Sequence, residues 1–76
     1  MAPKLTVEYD RIGDILYITR VPPYPGQESE ELENSIIVRL NPETDEVEAL
    51  EILFWSKRQE AGKPLDLPVV GERLAV

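Results

Sequence analysis

The chain has no cysteine and no histidine. The first absence excludes disulfides and thiolate nucleophiles. Together the two exclude the usual structural zinc sites and the side chain best suited to moving protons near neutral pH. The four glycines stand apart from one another, so there is no GxGxxG turn or other backbone cradle for phosphate. No apolar run approaches the ~18 residues that a membrane-spanning helix needs. The opening segment MAPKLTVEYD has no charged stretch followed by an apolar one, and so does not read as a signal peptide. The lack of cysteine is compatible with a reducing compartment, and the other absences lead us to expect a protein that needs no cofactor and does not meet a membrane.

What is there is short. We read residues 1–76 as a single small β-rich domain. A chain of this size buries only about 60% of the surface its unfolded form exposes, and without disulfides or metals such domains often gain stability by oligomerising. A homodimer is the expected state.

The net charge of −7 is unevenly placed. Residues 1–27 balance three bases (Lys4, Arg11, Arg20) against three acids (Glu8, Asp10, Asp14). Residues 28–51 carry nine acids against Arg39 alone, and residues 52–76 carry four bases and three acids. The acidity thus belongs to the central segment. A field of that sign repels phosphate backbones, which argues against direct nucleic-acid binding, and suits a basic protein partner or a divalent cation. Its plainer role is to keep a small protein soluble.

Alternation places the strands. In residues 4–9, Leu5, Val7 and Tyr9 share one side, the pattern of a half-buried strand. Residues 10–13 form a turn, in which Asp10 bonds its own downstream backbone and Gly13 takes positive φ. Residues 14–20 are apolar on both sides, as in a central strand. The following VPPYPG carries three prolines and cannot continue a ladder. Residues 27–34 are acidic and read as a loop, with a short edge strand over 29–32 as the alternative. Residues 36–40 form the third strand, and NPETD is a hairpin loop of turn formers. The fourth strand spans 46–55, with Leu50, Ile52 and Phe54 on one face and Val47, Ala49, Glu51, Leu53 and Trp55 on the other.

The period then changes. Ser56 with Gln59 fits a capping box, and Gly62 with Pro64 fits a helix stop, so residues 57–61 form one or two helical turns. Residues 64–76 read as an extended tail, with Leu65, Leu67, Val69 and Val70 available to pack. The predicted fold is mainly β, bordering on α+β: an antiparallel four-stranded meander with a short C-terminal helix and an extended tail. One helix and a tail do not easily cover both faces of such a sheet. The uncovered face is a candidate dimer interface, through sheet stacking or edge pairing, unless the tail wraps across it.

Five residues are binding candidates: Tyr9, Asp10, Asp14, Glu51 and Trp55. Asp10 and Asp14 flank one turn and offer oxygen ligands for a cation, although the set is too small for a metal site and the spacing matches no calcium loop. Their structural reading is turn closure by Asp10 and a cap on the next strand by Asp14. Glu51 lies on a mostly apolar face, where a carboxylate is costly unless paired. It either bridges to Arg39 or Arg20, or stands unpaired with a raised pKa, as a general base would. Trp55 is an anchor for the core or for a dimer contact. Ser56 has no histidine to activate it and reads as the helix N-cap. Tyr24, among prolines, is either an exposed recognition residue or a plug holding its loop down.

Three segments, YDRIGDILYI, ENSIIVRL and EALEILFWS, together resemble the domain of unknown function 2283 family over roughly residues 5–58, leaving 59–76 as an extension. Gly13 stands where that family typically has Ala. Asn34 and Ser35 stand where it often has Gly before a strand, and Ala49 where it often has Gly within one. The resemblance implies a small bacterial or archaeal cytoplasmic β-rich protein and transfers no catalytic residue. It also implies company of the toxin–antitoxin type. The resulting expectation is a non-enzymatic, homodimeric interaction module. The alternative is a metal- or small-molecule-binding enzyme using Asp10, Asp14 and Glu51.

Overall fold

A computed structural model describes residues 4–73. Five strands form one antiparallel sheet: β1 (Thr6–Asp10), β2 (Ile15–Thr19), β3 (Glu28–Leu32), β4 (Ile36–Leu40) and β5 (Val47–Leu53), followed by the helix α1 (Trp55–Ala61). The spatial order is β1-β2-β5-β4-β3.

This corrects the expected four-stranded meander in two ways. The acidic stretch is a full strand, because its glutamates lie at an outer edge where water solvates them. In addition, β2 pairs with β5, Tyr17 opposite Glu51, and not with the next strand in the chain. Strands β3, β4 and β5 are a true meander joined by short turns, and β2 returns to the far side of β5. Strands β2 to β5 therefore make a Greek key, extended by the β1–β2 hairpin. The proline-rich segment is the long connection of that key.

The doubly apolar strands lie inside, as expected. Every residue of β5 from Val47 to Ile52 is buried. The core occupies the first face of the sheet, where Ile36, Val38, Leu40, Val47 and Leu50 cluster with Ile18, Leu32, Leu65, Leu67 and Val70. The last three come from the tail, which packs across this face in cis. It is anchored where β5 begins: Gly71 N–H donates to the Val47 carbonyl (2.6 Å), and Val47 N–H donates to the Glu72 carbonyl (2.9 Å). Val69, expected to pack, is exposed.

Val47 was expected on the face of Ala49. A register shift pairs Leu40 with Val47 although Arg39 pairs with Ala49, so Glu48 is the extra residue of a β-bulge and Val47 turns into the core. The second face carries Ile15 and Tyr17 on β2, Ile37 and Arg39 on β4, and Ala49, Glu51 and Leu53 on β5. The helix contributes no buried residue.

The expectation for β1 fails in an informative way. Leu5, Val7 and Tyr9 are not half-buried but 57%, 62% and 43% exposed, because β1 is an edge strand and the tail packs on the inner strands. At the hairpin between β3 and β4, Asn34 and Ser35 both have positive φ, 72° and 58°. That is the backbone state glycine adopts at least cost.

Candidate functional site

Among the described residues, two carboxylates accept five of the six hydrogen bonds between side chains. The first is Asp14. Asp10 prepares its position by accepting bonds from the N–H groups of Ile12 (3.0 Å) and Gly13 (3.2 Å), the turn closure expected of it. Gly13 is needed for close approach and not for positive φ: a Cβ there would sit 2.8 Å from Asp10 Oδ2. The positive φ, 56°, belongs to Asp14 itself.

In that conformation Asp14 faces the far end of β5. Its Oδ1 accepts from the Tyr9 hydroxyl (2.6 Å) and from Ser56 N–H (3.0 Å), and its Oδ2 accepts from the Ser56 hydroxyl (2.8 Å). Its carbonyl accepts from Trp55 N–H (3.1 Å). Phe54, with φ 55°, turns the chain sharply from β5 into α1 and offers the helix no side-chain cap. Asp14 supplies that cap from a distant turn, satisfying the first two N–H donors of the helix. Ser56 is therefore not the N-cap but the second helical residue, and the strand ends before Trp55, which opens the helix. The Tyr9 and Ser56 hydrogen bonds hold the Asp14 carboxyl below its ordinary value, and the same contact raises the Tyr9 phenol.

The second carboxylate is Glu48, 5% exposed and singled out by no sequence pattern above. It accepts from the Tyr24 hydroxyl (2.5 Å), Gln27 Nε2 (3.2 Å) and Asn41 Nδ2 (3.4 Å). Its carbonyl accepts from Arg20 N–H (2.9 Å) and Val21 N–H (3.1 Å). One bulge residue thus fixes both ends of the β2–β3 connection and the β4–β5 turn. Burial pushes the Glu48 carboxyl up. The bonds from Tyr24, Gln27 and Asn41 and the nearby Arg20 charge outweigh burial, and the net shift is downward. Its hydrogen bond in turn pushes the Tyr24 phenol up to about 12. Tyr24 is the plug of its loop, held by a polar tip. A signal was available in the sequence: in VEALEIL, alternation runs from the apolar row of Ile52 and Leu50 to Glu48, a carboxylate that needs partners there.

Glu51, 7% exposed, is paired as expected. Arg39 Nε and Nη2 both approach Glu51 Oε2 at 2.7 Å. The other proposed partner, Arg20, instead lies 3.8 Å from Glu46. Trp55 is half-buried and lines a small open groove with Arg58, Gln59 and Leu65.

Of the five candidates, Tyr9, Asp14 and Trp55 meet at the start of α1. Asp10 serves its own turn, and Glu51 serves its neighbour on β4. Among the described residues, no three acidic side chains converge as a metal-ligand set. No helix among the described residues is long and apolar enough to cross a membrane. No curated protein and no solved structure matches the chain. A family model described as "Protein of unknown function (DUF2283)" does match, over residues 6–56, a span that holds the Asp14 and Glu48 networks complete, and the chain belongs to that family.

Proposed function

We propose that the protein is a non-enzymatic interaction module, homodimeric and cytoplasmic, that engages a basic protein partner through its acidic segment. The observation that carries this reading is the β3 edge. Glu28, Glu30 and Glu31 are exposed on an outer strand and, among the described residues, none is in an ion pair. The carboxylates with chemical potential are engaged in holding the fold: Asp10 in its turn, Asp14 on the helix, Glu51 on Arg39. An unpartnered acidic edge favours a cationic surface over a phosphate backbone. A basic partner of this kind accords with a toxin–antitoxin-like pair.

The test is affinity capture at low and high salt, comparing the wild type with a Glu28→Gln, Glu30→Gln, Glu31→Gln variant. The expected outcome is one basic protein held by the wild type at low salt, released by high salt and lost from the variant. Equal retention by the variant removes the acidic edge from the reading. Light scattering tests the dimer separately.

A further inference from the structure

The two edges of the sheet are guarded differently. On β3, any two-fold pairing centred on Ser29, Glu30 or Glu31 sets glutamate against glutamate, and like charges directly opposite are destabilising. Strand β1 has no such guard. It is outermost, its far side pairs with nothing among the described residues, and Leu5, Val7 and Tyr9 stand exposed along one face of it.

We infer that β1 is the surface through which two copies of this chain join, antiparallel and edge to edge, with Val7 on the two-fold axis. The inference rests on the homodimer reading above and adds to it a place and a register. The argument is charge and shape complementarity in that register. With Val7 opposite Val7 of the second copy, Leu5 faces the second copy's Tyr9, Thr6 faces Glu8, and Lys4 faces Asp10. Apolar residues meet apolar residues on one face, and each end of the strand pair closes on a cation and a carboxylate. A register centred on Glu8 sets two glutamates face to face and loses both ion pairs. The segment is also suited by its net charge: residues 1–27 sum to zero, whereas residues 28–51 sum to 1 − 9 = −8. A two-fold axis normal to the sheet keeps both apolar strips on the same side, so the product is one continuous sheet with its acidic β3 strands at the two outer edges.

The wild-type sequence has no cysteine, which makes cross-linking clean. Directly opposed residues in an antiparallel pair have Cα atoms about 4.5–5.5 Å apart, within reach of a disulfide. Val7→Cys should therefore form a disulfide-linked dimer under mild oxidation about tenfold faster than Glu30→Cys, an exposed control on the other edge. Val7→Lys sets two ammonium groups against each other on the axis and should weaken self-association about tenfold in sedimentation equilibrium. Both positions are exposed, and far-UV circular dichroism confirms that each variant keeps the wild-type fold before it is compared. If Val7→Cys links no faster than Glu30→Cys and Val7→Lys leaves the dimer intact, the β1 interface is overturned while the homodimer stands. A dimer broken by Ile37→Lys and not by Val7→Lys overturns it equally, and moves the contact to the second face. A wild type that is monomeric at every concentration overturns both readings.

Discussion

Asp14 and Glu48 have the same equipment and different weight. Each accepts a tyrosine hydroxyl and two further donors from outside its own strand, and each titrates below its ordinary value. Asp14 does this beside water, in a recognisable turn, and holds the start of a helix with no fully buried residue. Glu48 does it at 5% exposure, in a bulge of the central strand, and holds the two connections that define the topology. The lesson is that surroundings, not the conspicuousness of a motif, set how much a hydrogen-bond network contributes. Donors left without an acceptor beside water find solvent, and donors left without one in the interior do not.

The comparison breaks most sharply at Glu48. Glu48→Ala strands the Tyr24, Gln27 and Asn41 donors and should cost about 3 kcal/mol in urea denaturation, with Glu48→Gln costing less. A loss as small as that of an ordinary surface substitution would erase the distinction drawn above. Next comes Asp14→Ala, which should fray α1 and lower the helical circular-dichroism signal while leaving the sheet folded. Global unfolding by this variant would place Asp14 on a par with Glu48.

Acid sharpens the contrast further. Both carboxyls are lowered in the fold, so the unfolded chain takes up their protons first as pH falls. Each contributes stability that is present above its ordinary pKa, 3.8 for Asp14 and 4.5 for Glu48, and lost as pH falls through the folded value. Asp14→Asn should flatten part of the acid limb, and an unchanged limb would count against the hydrogen-bond origin of the shift. At the alkaline end the sign reverses for Tyr24. Its phenol ionises near 10.0 when unfolded and at about 12 when folded, so stability falls with rising pH across that window. A tyrosinate absorbance step at about 12 should vanish in Tyr24→Phe. The smallest effect belongs to Ser56→Ala, because Ser56 N–H keeps its bond to Asp14 when the hydroxyl is gone.

Alternation made β2, β4 and β5 legible, since it reports which faces of a strand are apolar. It carries no information on which strand lies beside which, and so the Greek key was hidden behind a meander of the same strands. The edge strand β3 was nearly invisible because its glutamates face water, where no apolar pattern is needed. Local chemistry was readable where the partners are close in sequence, as in the Asp10 turn and the Gly62 helix stop, where Gly62 has φ 67° and donates to the Arg58 and Gln59 carbonyls. The Asp14 cap on Ser56 and the Tyr24 bond to Glu48 join residues far apart in sequence. Neither was legible before β2 was known to lie beside β5.

The position of β5 also has a consequence in time. As a chain of this order leaves the ribosome, the β1–β2 hairpin emerges before the strand it packs beside, and β3 and β4 follow with only each other. The strand that belongs between the two pairs is the fifth of five, and the tail that seals its core face comes later still. Isolated two-stranded units are marginal in water, so the sheet becomes stable only once β5 and the tail have emerged. A ribosome stalled before residue 53 should hold a protease-sensitive chain, and one that has released the tail a resistant one.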